Sequence, residues 1–401
     1  MTSTIAASPR RGRRPLAILA AAVAAVAVTG GAAAAATGPA AAVPAADPVR
    51  LTLPAPTGPA PVGTVSLHLV DRSRPDPWAG PGRYRELMIS LWYPTHPGDH
   101  HPVAPWLTAG AGAAVLASED IPPGKVVLPL THGHEGSPVR RGHPLPVVLY
   151  SPGNDAIRSG NTVVVEQLAS HGYLVVTIDH TYDGVVEFPD GRVVTPLPDG
   201  PHSTDIYQLR LADTRFVLDT LARLHAGRNP DAEHRPLPTG LAGGFDLHAI
   251  GMVGTSAGGA TTASAMYADR RIKAGLSLDG PVLGPVVGAG LDRPYMLMEA
   301  KINRPDYPDL DAFWSRLRGW HLELRVTGAK HLSYSDYEAL LPQLADVLGI
   351  DPADQIGSLD PTRGIAVQQA YPLAFFDRHL RHRGHLLDGP SAQYPEVMIV
   401  P

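Results

Sequence analysis

The chain of 401 residues contains no cysteine, few charged residues (18%) and more acidic than basic side chains. Without cysteine the protein has no disulfides, no cysteine nucleophile, no cysteine-ligated zinc site and no lipoprotein anchor. The formal net charge of −5 argues against nucleic-acid binding, which needs a basic surface. Stability must come from an apolar core, and a chain of this length is long enough to bury one.

A long apolar run occurs at the N-terminus. Arginines at positions 10, 11, 13 and 14 precede an apolar stretch from Leu16 to about Val28, and alanine-rich sequence with small-x-small cleavage motifs follows. This order is typical of an export signal, and the stretch is short for a membrane span. We predict a secreted protein whose residues 1–46 are signal and low-complexity remainder, exported by the Sec or the twin-arginine route. Removing them leaves 29 basic and 38 acidic side chains, a net charge near −9.

After a predicted linker at 47–63, short apolar strands alternate with helices in a single domain predicted at 64–401. The pattern predicts an antiparallel hairpin at 64–70 and 86–92, and then buried strands at 146–150, 173–178, 248–253, 274–278, 295–298 and 322–326. Helices are predicted at 163–170, 207–224, 258–266 and 365–381. This alternation indicates a mostly parallel sheet with helices on both faces. Residues 94–144 are rich in Gly, Pro and His and are predicted to form a long loop or insertion.

The most informative motif is Gly254-Thr255-Ser256-Ala257-Gly258, between the strand at 248–253 and a helix of small residues. A strand, a tight turn and a helix in this order present the nucleophilic serine of α/β-hydrolases. Side chains at either flanking glycine would clash with neighbouring backbone in so sharp a turn. An ordinary glycine-rich loop has a similar composition, so the prediction depends on finding partners for Ser256.

A serine nucleophile needs a histidine that accepts its proton and a carboxylate that orients the histidine. Asp279 ends the strand at 274–278, and His331 follows the strand at 322–326, so both lie at carboxyl ends of strands, where open α/β sheets bind ligands. The order Ser256, Asp279, His331 is that of α/β-hydrolases. Weaker candidates for the acid are Asp292, Asp306 and Asp309.

Two backbone amides must also face the negative oxygen that develops during acyl transfer. Ala257, directly after the serine, supplies the first. The second is expected from the loop after the strand at 146–150, where Pro152 has no N–H and Gly153 allows the turn. Asn154 is therefore the predicted second donor.

Other polar clusters carry weaker signals. A metal site needs three or four converging ligands on ordered elements, whereas these histidines and the neighbouring acid lie in glycine-rich sequence: His100, His101, His132, His134 and Glu135. We therefore expect no metal and no cofactor. The polar group Asp179, His180 and Asp183 follows a strand and is expected to form a hydrogen-bonded loop that shapes the pocket wall.

Over roughly residues 64–382 the chain resembles the secreted platelet-activating factor acetylhydrolase family, the lipoprotein-associated phospholipase A2 type of α/β-hydrolase. The resemblance rests on Ile89-Ser-Leu-Trp-Tyr-Pro94, Tyr150-Ser-Pro-Gly-Asn-Asp-Ala-Ile-Arg158, Leu168-Ala-Ser-His-Gly-Tyr173, Ile250-Gly-Met-Val-Gly-Thr-Ser-Ala-Gly-Gly-Ala-Thr261, Leu276-Ser-Leu-Asp279, and His331 with Ser335-Asp336. It implies the same triad and the same two amide donors. The family usually has His-Gly where this chain has Pro152-Gly153, and a bulkier residue at Ala257, which indicates an altered pocket.

These features predict a secreted, metal-independent serine esterase that works through an acyl-enzyme. Its expected substrate is a short-acyl phospholipid or another small lipid ester, with peripheral contact to lipid surfaces and no nucleic-acid partner. Two alternatives stay open. One is a lipase or cutinase-like polyester hydrolase of the same fold, and the other is a non-catalytic binding protein with the histidine-rich segment 94–144 as its contact surface.

Overall fold

The computed structural model describes residues 47–98, 100–197 and 204–400. Its strands are β1 Val49–Arg50, β2 Val62–Pro75, β3 Tyr84–Pro94, β4 Val103–Pro105, β5 Val126–Val127, β6 Leu130–Glu135, β7 Leu145–Ser151, β8 Leu174–Ile178, β9 Val186–Glu187, β10 Val193–Val194, β11 Phe245–Thr255, β12 Ile272–Leu278, β13 Tyr295–Glu299, β14 His321–Val326 and β15 Val397–Val400. Its α-helices are α1 Ala109–Ser118, α2 Thr162–Ser170, α3 Thr204–His225, α4 Ala257–Ala268, α5 Val286–Ala289, α6 Pro308–Trp314, α7 Tyr337–Leu348, α8 Ala353–Ile356 and α9 Pro361–Leu380. The predicted export signal at 1–46 lies outside the described residues.

An eleven-stranded sheet organises the molecule, in the order β15-β14-β13-β12-β11-β7-β8-β3-β2-β6-β4. The six strands from β14 to β8 are parallel to one another. β2 and β3 form the antiparallel hairpin that the alternating pattern predicts, with Val65 opposite Leu91. The α/β-hydrolase fold, with its mostly parallel sheet, is confirmed. The parallel core matters for function because it brings the carboxyl ends of β7, β11, β12 and β14 to one edge.

Helices cover both faces of this sheet, and the strands are apolar on both sides for that reason. Along β7, Val147 and Leu149 face a core shared with α3 and α4, whereas Val148 faces a core shared with α2 and α9. α9 packs closely because β11 has no side chain at Gly251, where a Cβ would lie 2.5 Å from the ring of Phe376.

The segment 94–144, predicted to be a long loop or insertion, contains regular structure. It includes the ten-residue helix α1, and β6 extends the main sheet beside β2. Helical periodicity is weak in α1 because its sequence is mostly Ala and Gly, so little distinguishes its buried side from its exposed side.

The segment 47–63, predicted to be a linker, packs against the domain. Leu51 and Leu53 are buried in a core with Trp106 and Leu340, and β1 pairs with β5. Two leucines at alternate positions in an extended chain point the same way, and here they meet an apolar surface that residues distant in sequence provide.

The helix predicted at 207–224 is also more buried than its pattern indicates. Its apolar residues recur at helical spacing with charged residues between them, but the side chains of Arg210 and Asp213 on α3 are fully buried. Ion pairs with residues on other elements compensate these charges. Among the described residues, we find no helix with the length and apolar character needed to cross a membrane.

Candidate active site

Ser256 lies in the turn between β11 and α4, with φ 55° and ψ −120°. Such a backbone conformation is strained for a residue with a side chain, and it persists only where the surroundings enforce it. The flanking glycines permit it, since a Cβ on Gly254 would lie 2.0 Å from the Gly258 carbonyl oxygen, and one on Gly258 would lie 1.9 Å from the Ser151 carbonyl oxygen. The strand-turn-helix arrangement expected for a nucleophilic serine is therefore present at this position.

Asp279 is the first residue after β12 and is completely buried. Its Oδ1 accepts hydrogen bonds from the backbone N–H groups of Ala300, Lys301 and Ile302 at 2.8, 3.0 and 2.9 Å. Its Oδ2 contacts Nδ1 of His331 at 2.5 Å. Because the carboxylate only accepts hydrogen bonds, Nδ1 of the imidazole carries the proton and donates it. Nε2 is thereby left as the basic nitrogen.

His331 begins a short 3-10 helix, His331–Tyr334, shortly after β14, and its side chain is about one quarter exposed. Two contacts fix this turn. The Ser333 hydroxyl donates to the Ile356 carbonyl at 2.5 Å, and the Tyr334 hydroxyl donates to the Glu299 carbonyl at 3.0 Å. The histidine is therefore accessible on one side and held in place on the other.

The alternative acids have other partners. Asp292 accepts a hydrogen bond from Arg270 at 3.0 Å, and Asp306 accepts one from Asn303 at 2.9 Å. Asp309 lies in the first turn of α6. The acid that contacts His331 is Asp279. Three of the predicted residues thus follow β11, β12 and β14 at the same edge of the sheet, and two of them are hydrogen-bonded to each other.

The loop after β7 lies directly against Ser256. A Cβ on Gly153 would lie 3.3 Å from Cβ of Ser256, which is a tight contact, so glycine eases this approach. Asn154 is the next residue of this loop. Ala257 is the first residue of α4, and the first N–H groups of a helix have no partner within the helix. The structure therefore brings both predicted amide donors to the neighbourhood of the serine.

The polar group at 179–183 forms a buried network. Asp179 pairs with Arg158, and Asp183 pairs with Arg210 at 2.5 Å. His180 lies between the Ser151 hydroxyl, 3.0 Å from Nε2, and the Asp213 carboxylate, 3.1 Å from Nδ1. This second serine–histidine–aspartate group is buried at all three residues, so a substrate has no access to it. Burial lowers the pKa of His180, which favours the neutral imidazole.

Three of the four histidines considered as metal ligands hydrogen-bond to protein groups. Nδ1 of His132 lies 2.8 Å from Glu166, and that hydrogen bond raises the pKa of the histidine. Nδ1 of His101 lies 2.8 Å from the Glu135 carbonyl, and Nδ1 of His134 lies 2.8 Å from the His101 carbonyl. Across residues 47–98, 100–197 and 204–400, no group of three or more His, Cys, Asp or Glu is placed to hold a metal ion.

Sequence patterns did not reveal the role of Asp336, although it lies five residues after His331. Its carboxylate accepts hydrogen bonds from the amides of Thr162 and Val163 at the start of α2 and from the indole of Trp106, at 2.9 to 3.0 Å. Burial raises its pKa to about 6. Asp336 thereby links the turn that carries His331 to α2. The Ser335-Asp336 pair, which is part of the family resemblance, is the one sequence signal that could have indicated this role.

A cavity of about 230 Å³ lies near β2, β3 and β8. It is lined by Trp92, Trp106 and Arg158, among other residues, and none of Ser256, Asp279 and His331 borders it. The candidate site is therefore identified by the side chains of Ser256, Asp279 and His331 at the strand ends, and not by the size of this cavity.

The known proteins that this chain resembles are named as esterases or acetylhydrolases. No family model matches the chain. A probable 1-alkyl-2-acetylglycerophosphocholine esterase of Arthroderma benhamiae is 28% identical over 398 residues, which cover 90% of this chain and 96% of the relative. The platelet-activating factor acetylhydrolase of Cavia porcellus is 22% identical over 62% of this chain and 63% of its own length. A solved ferulic acid esterase from Streptomyces cinnamoneus is 35% identical with a TM-score of 0.72, covering 88% of this chain and 99% of that protein.

Proposed function

Because this chain belongs to the platelet-activating factor acetylhydrolase-like esterases of the α/β-hydrolase fold, we propose that it hydrolyses carboxylic esters with Ser256 as the nucleophile. The observation that carries the proposal is the hydrogen bond from His331 to Asp279 at the strand edge where Ser256 also lies. The alternative of a non-catalytic binding protein is set aside, because relatives that match nine-tenths of the chain are named esterases.

In the proposed reaction, the Ser256 hydroxyl attacks the ester carbonyl while Nε2 of His331 accepts its proton. The amides of Asn154 and Ala257 bind the oxyanion of the tetrahedral intermediate. Collapse of this intermediate breaks the bond to the alcohol, which leaves with the proton from His331, and an acyl-enzyme remains. Water, activated by the same histidine, then releases the acid. Asp279 stays ionised throughout and stabilises the imidazolium that forms in each half-reaction.

The proposed substrate is a short-acyl phospholipid or another small lipid ester. Support comes from the likeness, along almost the whole chain, to a relative named as a probable 1-alkyl-2-acetylglycerophosphocholine esterase. Peripheral contact with lipid is part of the proposal, and the apolar side chains of Leu130 and Val127, 60% and 37% exposed, support it. We also propose export of the protein, on the basis of its basic and then apolar N-terminal sequence.

A second candidate is an esterase of the lipase or cutinase-like kind that accepts bulkier acyl groups or polymers. The 35% identity to a ferulic acid esterase favours it, and so does the small side chain of Ala257 beside the nucleophile. A smaller residue at that position leaves more room next to the reacting carbonyl.

One set of measurements tests the reaction and separates the candidates. Ser256→Ala should abolish p-nitrophenyl acetate hydrolysis and fluorophosphonate labelling while leaving the melting temperature close to that of the parent. Full activity in this variant would overturn the assignment. The value of kcat/KM should then be compared for an acetyl phospholipid, p-nitrophenyl esters from acetate to palmitate, methyl ferulate and a polyester film. A preference for the acetyl phospholipid supports the first candidate, and a preference for ferulate, long chains or the film supports the second.

A further inference from the structure

Arg210, on α3, holds the loop that supplies Asn154. Its side chain is fully buried, and its guanidinium donates from Nη1 to the Pro152 carbonyl at 2.6 Å and from Nη2 to the Gly153 carbonyl at 2.8 Å. Its Nε donates to Asp183 at 2.5 Å. One planar group therefore contacts two consecutive carbonyls of the loop after β7.

These contacts fix the direction of an amide that the proposed reaction uses. The Gly153 carbonyl and the Asn154 N–H belong to the same peptide unit, which is trans, since the described residues contain no cis peptide bond. In a planar trans peptide the C=O and the N–H point in opposite directions. Since the carbonyl faces Arg210, the N–H faces away from it. Gly153 meanwhile lies against Ser256, with only 3.3 Å between a hypothetical Cβ and that of the serine.

The surroundings of Arg210 make this arrangement rigid. Asp183 balances the buried charge, and it also accepts a hydrogen bond from the Asp155 amide at 3.3 Å. A planar guanidinium with several fixed donors can bridge two carbonyls and a carboxylate at once, which a lysine ammonium on a flexible stem cannot do with the same geometry. Ser151, where the loop begins, is held by His180 at 3.0 Å.

We propose that Arg210 is a positioning residue for oxyanion stabilisation: by binding the carbonyls of Pro152 and Gly153, it aims the Asn154 N–H toward the reacting ester. The inference rests on the proposed function. It also explains the buried Ser151, His180 and Asp213 as parts of the scaffold behind this loop. The substrate does not touch Arg210, so its effect on catalysis passes through the amide that it orients.

The test uses the purified full-length chain with Arg210→Lys and Arg210→Met, and with Arg293→Lys and Arg293→Met as matched controls. Arg293 is also mostly buried and also donates to backbone carbonyls, those of Asp269 at 3.1 Å, Ile272 at 2.6 Å and Met266. These carbonyls lie at the end of α4 and the start of β12, away from the loop after β7. Active sites are counted by fluorophosphonate titration, so that kcat is calculated per functional site and unfolded protein does not lower its value. Asp183→Asn is a further variant in case both Arg210 variants fail to fold.

We expect kcat per titrated site to fall about 10- to 100-fold in Arg210→Lys, with KM and the pH midpoint assigned to His331 nearly unchanged, because an oxyanion donor acts mainly in the transition state. The same variant should bind a boronic acid inhibitor correspondingly more weakly. The Arg293 variants should lose thermal stability but keep kcat per site within about threefold.

The inference would be overturned if the Arg210 variants fold and keep kcat per site within about threefold of the wild-type value. A change confined to KM would overturn it as well. If both fail to fold, Asp183→Asn decides, with a fall in kcat per site expected. If Ser256→Ala abolishes activity but the Arg210 variants are unaffected, only the inference about Arg210 is contradicted. Activity that survives Ser256→Ala would instead contradict the proposed function.

Discussion

Asp279 and His331 are 52 positions apart in the chain and are joined by a hydrogen bond of 2.5 Å between Oδ2 and Nδ1. The other carboxylate oxygen accepts three consecutive backbone N–H groups, so the aspartate cannot rotate without losing all of them. The pair thereby holds the imidazole in one tautomer, the arrangement that a general base in acyl transfer needs.

Asp279→Asn tests this relationship. We expect kcat/KM for p-nitrophenyl acetate to fall by about 10⁴-fold, because an amide neither enforces the tautomer nor stabilises the imidazolium. Steady-state kinetics with circular dichroism on the same samples separate this effect from unfolding. Asp292→Asn is the matched control and should keep its activity. The reverse pattern would make Asp292 the acid.

Gly258→Ala tests the close approach of α4 to the loop after β7. The added methyl would lie 1.9 Å from the Ser151 carbonyl and 2.8 Å from the Pro152 carbonyl, so backbone must move. We expect a loss of roughly 1–3 kcal/mol in the free energy of unfolding and a fall in kcat, as measured by urea denaturation and ester hydrolysis. The control is Gly288→Ala, where no atom lies within 4 Å of the new Cβ. Equal behaviour of the two variants would refute the steric explanation.

Asp336→Asn tests the link between the histidine turn and α2. The substitution weakens three hydrogen bonds, to two amides and an indole. Hydrogen bonds to charged groups contribute about 1.5–3 kcal/mol each, and an amide oxygen retains part of this, so we expect a destabilisation of about 2 kcal/mol. Urea denaturation measures it. A change within the error of the measurement would show that Asp336 does not fasten the turn.

Glu338 provides a pH dependence of stability. Burial raises its pKa to about 8, from an ordinary value of 4.5. The folded protein therefore keeps a proton that the unfolded chain releases, and this contribution is complete below about pH 4.5 and is lost as the pH rises through 8. Glu338→Gln removes the dependence. The melting temperature of the variant, relative to the parent, should rise between pH 5 and pH 9.

The control for this comparison is Glu135→Gln, at an exposed position of β6. It should shift the melting temperature by the same amount at both pH values. If the difference between Glu338→Gln and the parent stays constant with pH, Glu338 is not the source of the effect.

Local pattern was sufficient for much of the fold and of the site. The strand at 146–150 and the strand around Val253 are continuous apolar runs, which the structure buries on both faces as β7 and β11. Pattern was insufficient where an element depends on distant partners. Leu51 and Leu53 pack because Trp106 and Leu340 meet them, and α1 lacks an amphipathic pattern. The burial of Arg210 and Asp213 was likewise hidden, since isolated charged residues on a helix normally face water.

By itself the sequence determined which residue types are available for the proposed reaction and their order along the chain. A serine between small residues after a strand, an aspartate and a histidine at later strand ends, and a loop with glycine beside Asn154 are all local features. Tertiary structure alone decided which of four aspartates contacts His331, and that Arg210 binds the carbonyls of Pro152 and Gly153. Those choices depend on contacts between segments far apart in the chain, made by the order of strands in the sheet and by a buried arginine that one sequence cannot place.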